Sequence, residues 1–195
     1  MRILVFIVLV LAAPAFSEVK NFSKFRSWDI DIYSDENGRP NSCLGYASYI
    51  ESGTVMLVGF RKRSDKEYFV LHIMNSSWKS IEEGKEYSIK IKFPNRSPWT
   101  IATNGLSNDD DFFGVSVENT LNDKAWEFIS DYRKSLSMKV SVEGNNVGAF
   151  KLKGTSGMLS EAWKCFNSIV KPSQSDPFAP KSNASSSKKS DPFDI

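Results

Sequence analysis

From Trp28 to Phe93 the apolar residues recur at every second position. Trp28, Ile30 and Ile32 alternate with Asp29 and Asp31, and Tyr87, Ile89, Ile91 and Phe93 alternate with Ser88, Lys90 and Lys92. A period of two gives each strand one face for a core and one for water, the pattern of antiparallel sheets. Two denser runs, Thr54–Phe60 and Tyr68–Met74, flank "RKRSDKE" and read as a hairpin. Arg61, Lys62, Arg63 and Lys66 in that connection are basic enough for an anion site, and read more simply as a solvated hairpin tip. Further strands are expected at Trp99–Ala102 and Phe112–Val117.

The period changes in "TLNDKAWEFISDYRKS", where Leu121, Ala125, Phe128, Ile129 and Tyr132 fall at helical spacing. Thr120 or Asn122 is placed to cap that helix. Leu136, Met138, Val140 and Val142 then face one way on a strand. "EGNN" turns the chain and Val147–Leu152 returns as the hairpin partner. A second helix opens at Gly154–Gly157. Its stripe is Met158, Ala162, Cys165, Phe166 and Ile169, and Pro172 stops it. Strand–helix alternation, which parallel crossovers require, is missing. The expectation is therefore an α+β domain over residues 18–171, mostly antiparallel and sandwich-like, with two helices.

The first residues set the compartment. Arg2 precedes an apolar run from Ile3 to Ala13, and small residues follow at Ala13, Ala15 and Ser17. That is the layout of a secretory signal peptide, residues 1–17, cleaved after Ser17 or after Ala15. The run is short of the roughly 20 residues a membrane-spanning helix needs, and no later stretch suffices. The mature chain is thus expected to be periplasmic or secreted. The formal charge is +2, and it falls to +1 (2 − 1) when Arg2 leaves. That gives no electrostatic reason to propose nucleic acid as a partner.

Two cysteines remain, Cys43 and Cys165. In an oxidising compartment an even pair reads as a disulfide, here tying the start of the fold to its last helix. Two free structural thiols are the alternative. The spacing excludes a CxxC redox pair.

"SWDIDIYSDENGRPNSCLGYASY" near the start and "VGAFKLKGTSGMLSEAWKCF" at the end resemble small exported domains of alphaproteobacteria. Those domains share a strand with Trp, a following Cys, and a closing strand, Gly-Ser/Thr turn and helix ending in Cys. Trp78, Gly84 and Tyr87 match their middle part. The chain is also similar to the invasion-associated locus B type of exported protein. The resemblance implies no particular activity, so no catalytic residue is carried over, and the tail lies outside it.

The residues argue against familiar chemistry. His72 is the one histidine, on the strand face of Val70 and Met74 with no motif around it. A Ser-His-Asp or Cys-His nucleophile needs a third group to orient its base. One His and a bridged Cys pair do not make an ordinary zinc site, and no cofactor is implied. Asn108–Asp111 lacks the alternating ligands of a Ca²⁺ loop, and "DENG" at Asp35–Gly38 fails the same test. Glycoside hydrolysis runs on two carboxylates without His. Asp109–Asp111 with Trp78, Trp99 or Trp126 as sugar platforms is therefore the enzymatic alternative. Gly154–Gly157 lacks a phosphate-loop lysine. Four Asn-x-Ser matches, at Asn21, Asn75, Asn95 and Asn183, are left unused in a chain resembling bacterial ones.

From Pro172 onward Ser, Lys, Pro, Asp and Asn prevail, so residues 172–195 are expected to be a disordered tail. Ser-Asp-Pro-Phe occurs there twice, at Ser175–Phe178 and Ser190–Phe193. Asp176, Pro177 and Phe178, and again Asp191, Pro192 and Phe193, make candidate docking handles: Phe anchors and Pro lowers the ordering cost. A duplicated spacer is the plain alternative. Behind a signal peptide, the handle would meet an envelope or extracellular protein. The sequence therefore points to an exported, non-catalytic binding or accessory protein of the cell envelope. The alternatives are the glycan hydrolase or an inhibitor of an exported protease.

Overall fold

The structure, a computed structural model, describes residues 19–108 and 111–170. The expected signal peptide with its two expected cleavage positions, Asp109, Asp110, and the expected tail with both Ser-Asp-Pro-Phe copies lie outside the described residues.

Ten strands and two helices follow in the order β1 (Val19–Phe25), β2 (Trp28–Ser34), β3 (Pro40–Tyr49), β4 (Thr54–Arg63), β5 (Lys66–Asn75), β6 (Glu86–Lys92), β7 (Trp99–Ser107), β8 (Phe113–Thr120), α1 (Asp123–Lys134), β9 (Ser137–Val142), β10 (Asn145–Lys151) and α2 (Thr155–Val170). The strands form one sheet in the order β1-β2-β3-β4-β5-β8-β7-β6-β9-β10, antiparallel throughout. The expected α+β fold is the one observed, down to the disulfide on the last helix.

The sheet parts along one seam. β7 pairs with β8 only over Asn104–Ser107, while its first half, from Trp99, pairs with β6 and the second half of β8 stays with β5. Its two wings can therefore turn toward each other. Phe150 of β10 packs on Tyr49 of β3, and the Tyr49 hydroxyl donates to the Lys151 carbonyl at 2.8 Å.

Alternation decides which side chains go inward. In register, Cys43 lies opposite Phe60, Val58 opposite Leu71, Phe60 opposite Phe69 and Leu71 opposite Val117. All of these are buried against both helices. α1 contributes Phe128, Ile129 and Tyr132, and the Tyr132 hydroxyl donates to Met56 Sδ at 3.1 Å. α2 contributes Met158, Leu159, Ala162, Trp163, Cys165 and Phe166, a wider stripe than expected, and Ile169 is only half-buried. Phe60 is the hub: its ring centroid lies 4.8 Å from Trp163, 5.9 Å from Phe166 and 6.1 Å from Phe69. Burying an aromatic of this size against others contributes ~2–3 kcal/mol from area alone.

α2 lies directly on β3. A Cβ at Gly45 would collide with Met158 Sδ, so any larger residue there would have to displace the buried Met158 side chain. Seven residues on, Cys165 bonds to Cys43, with Cα atoms 6.0 Å apart and 122 residues between them in sequence. This covalent tie is the pairing expected of a chain that matures in an oxidising compartment. Among the described residues, no helix is long and apolar enough to cross a membrane.

Several expectations need correcting. β1 was not foreseen. It is an edge strand, paired only with β2, and its Lys20 and Lys24 give it the charged look of an edge rather than of a core strand. "RKRSDKE" is mostly strand: Arg63 pairs with Lys66, leaving Ser64–Asp65 as a two-residue turn. "EGNN" likewise shrinks to Glu143–Gly144, since Val142 pairs with Asn145. Both turn residues have positive φ, 49° and 80°, the tight hairpin type that suits the twist of the strands. Asn122 is the helix cap rather than Thr120, its side chain accepting from Ala125 N–H at 3.0 Å. Leu136 does not face inward with Met138. It precedes β9 and is 80% exposed.

Candidate functional site

The helices cover one face of the sheet. The alternate residues point the other way, and there they form a groove of about 620 Å³, within the range of small-ligand sites. Register places its side chains in rows. Tyr33, Ser42, Arg61 and Tyr68 lie side by side across β2 to β5. Four residues along the same strands, Leu57, His72, Ser116 and Asn104 cross β4, β5, β8 and β7. Leu44 and Met74 supply apolar floor and are buried although no helix covers them.

At one end of the groove Arg61 Nη1 contacts Glu118 Oε1 at 2.6 Å, and Arg63 Nη2 approaches Glu118 Oε2 at 3.4 Å. Arg61 Nε also donates to Ser42 Oγ at 3.0 Å. Burial pushes the Arg61 pKa down while Glu118 opposes that shift, so the pair holds a charge that the site partly strips of water. Tyr33 beside it is pushed up to about 12, first by burial and then by Asp31 and Tyr46. Its hydroxyl therefore stays protonated. At the other end stands Glu83, whose Oε2 accepts from Ser107 Oγ at 2.6 Å. The groove is thus basic at the β4 end and acidic at the β7 end.

His72 sits between them. β5 runs between β4 and β8, so this is a central-strand histidine on the face of Val70 and Met74, not an edge one. Burial, then Arg61, drive its pKa down to about 3, leaving a neutral ring. Its Nε2 is buried with no hydrogen-bond partner; Thr103 Oγ1 is also unpartnered, but it lies across from Tyr87 on the covered face of β7, away from the groove. Buried polar atoms are nearly always satisfied. The orphaned His72 Nε2 marks a place where a bound group would gain a hydrogen bond without displacing a protein partner.

The basic residues read as a hairpin tip thus divide. Lys66 is at the turn, whereas Arg61 belongs to the groove. The missed signal was the strand period itself: carried on from Leu57 and Gly59 to Arg61, it puts the guanidinium on the open face.

Of the aromatics considered as sugar platforms, Trp99 and Trp126 line one cavity of about 560 Å³ on α1, with Asp123, Glu127 and Asp131 as its carboxylates. Asp131 accepts from Trp99 Nε1 at 3.1 Å and faces Arg96 Nε at 3.4 Å. Trp126 leans on Trp163 and Phe60. Trp78 is elsewhere, in the connection from β5 to β6. Asp111, the described member of the acidic run, lies in the β7–β8 connection, where Asn108 Oδ1 accepts from Phe112 N–H at 2.9 Å. The Trp78–Gly84–Tyr87 pattern has a structural reason. The Tyr87 hydroxyl accepts from Glu82 N–H at 2.9 Å, and Gly84 N–H donates to the Gly105 carbonyl at 2.9 Å, fastening this loop to β7. Among the described residues, no three His, Cys, Asp or Glu side chains converge as metal ligands would.

Comparison with protein-family models, with curated proteins and with solved structures returned no match.

Proposed function

We propose that this chain is an exported, non-catalytic binding protein of the cell envelope, and that the groove on the open sheet face is its ligand site. The observation that carries the reading is the orphaned His72 Nε2 in a groove floored by Leu44, Leu57 and Met74 and edged by Arg61 and Arg63. A neutral His held far below its ordinary pKa is poorly poised for acid–base work near neutrality, but it suits hydrogen bonding. The leader, the disulfide and the resemblance to exported alphaproteobacterial domains support the compartment.

Residue-resolved NMR tests this reading. Adding envelope extract to ¹⁵N-labelled mature protein should shift the amides of His72, Ser116 and Asn104, and Leu57→Lys should abolish those shifts. Shifts confined to α1 would reject the groove.

A second reading rests on the α1 cavity, where two Trp and three carboxylates meet as a glycan-acting site requires. It predicts release of reducing ends from cell-wall glycan, lost in Asp131→Asn. No turnover by the wild type removes it.

A further inference from the structure

The groove and the tail are complementary in order as well as in kind. We infer that the first Ser-Asp-Pro-Phe copy, within Ser175–Lys181, is a tethered occupant of the groove in its own chain, to be displaced by an envelope ligand of the same chemistry. This rests on the groove being the ligand site.

The route follows from how α2 lies. The helix passes Gly45 at Met158 and reaches Cys43 at Cys165, so it runs against the direction of β3. Val170 lies five residues past Cys165, about 7–8 Å further at helical rise. The next cross-strand row beyond Cys43 and Phe60 is Ser42 and Arg61, with Tyr33 beside them, the basic end of the groove on the opposite face. The tail therefore starts at the end of the sheet where the groove opens. Eight residues separate Val170 from Phe178 and reach up to ~26–29 Å. Packed layers lie ~10 Å apart, well inside that reach.

The chemistry then fits in sequence. Asp176 meets Arg63, whose side chain is 63% exposed and at 3.4 Å only loosely engaged with Glu118. Phe178 covers Leu57, Met74 and Leu106. Lys181, three residues on, meets Glu83. Asp176 to Lys181 spans ~17 Å when extended; Glu118, which Arg63 approaches, lies five residues along β8 from Phe113, the partner of the Ser107 that holds Glu83, a separation of ~17 Å at strand rise. A backbone group of the segment supplies a partner for the orphaned His72 Nε2. The second copy has Asp194 directly after Phe193 where the first has Ala179, so it brings a second carboxylate toward Glu83 and lacks the matching polarity.

The experiment uses the full mature chain and a fluorescent peptide of residues 175–181. A tethered segment competes at an effective concentration in the millimolar range. The peptide should therefore bind Phe178→Ala at least tenfold tighter than wild type, whereas Phe193→Ala should behave as wild type. Adding Arg63→Glu, an exposed change that spares the fold, should weaken binding about fivefold. Exchanging Asp176 and Lys181 within the peptide should weaken it at least tenfold. Equal binding to wild type and Phe178→Ala, or no binding to either, overturns the inference. A wild-type dimer that Phe178→Ala dissolves also overturns it, by making a second copy the occupant. If the peptide fails while Leu57→Lys still abolishes the extract-induced shifts, the occupant is wrong and the groove reading stands. If Leu57→Lys changes neither, both fall.

Discussion

On one side of β4 and β5, Met56, Val58, Phe60, Leu71 and Ile73 are fully buried under two helices. One residue along the same strands, Leu57, Arg61 and His72 line an open groove. The first side is closed by rings at 4.8–6.4 Å and by a disulfide. The second holds an ion pair, an unpartnered imidazole nitrogen and apolar floor with no helix over it. Stability concentrates where every atom has a neighbour. Recognition is left to the face where some do not.

That contrast can be broken from either side. The largest effect belongs to the covered face. Replacing Cys43 and Cys165 together with Ala should cost up to ~4–5 kcal/mol by the chain-entropy argument for a loop of this length, read as a fall in the urea midpoint at unchanged slope. A change under 1 kcal/mol would mean that packing alone holds α2.

His72 comes next. Its folded pKa is about 3 against an ordinary 6.5, so between these values the unfolded chain binds more protons. Stability is full above pH 6.5 and falls as the pH drops toward 3, by roughly 2–4 kcal/mol for a half-buried residue. Denaturation at stepped pH should show this slope in the wild type and lose it in His72→Leu. The same slope in both chains would return His72 to solvent.

Glu118→Gln keeps the shape but leaves Arg61 charged and half-buried beside a neutral partner. A loss of about 1–3 kcal/mol is expected, eased at high salt only for the exposed Arg63 contact. The smallest effect is at the end of the covered layer. Asn122→Ala removes the α1 cap and should cost ~1 kcal/mol without moving any groove resonance. Groove shifts there would show that the two faces are not independent.

Much of this was legible in the chain. Period two located β2, β6 and β9, dense apolar runs flanking a hairpin connection located β4 and β5, and the change to helical spacing located α1 and α2, because alternation and the 3.6-residue turn leave different marks on where apolar residues fall. β1 was not legible: an edge strand with one partner needs few buried side chains, and its lysines look like loop. The turns were read too long for a related reason. Polar residues at a sheet rim remain paired through their backbones, which composition does not register.

The site was harder. His72 and Arg61 were each noticed, and each was given a bland role, since nothing local joins residues eleven apart in sequence. Their meeting depends on β5 lying between β4 and β8, with Glu118 and Ser116 brought in from a strand more than forty positions later. The tail residues Asp176, Pro177, Phe178, Asp191, Pro192 and Phe193 lie outside the described residues.

The amino-acid order determined the fold class, the two helices and the candidate cysteine pair, because each is written in spacing a few residues long or in the chemistry of a single residue type. Only the tertiary structure decided which face stays open, which guanidinium leaves the turn for the groove, and which polar atoms are buried without partners. Those depend on strand order, a property of contacts between residues that the chain keeps far apart.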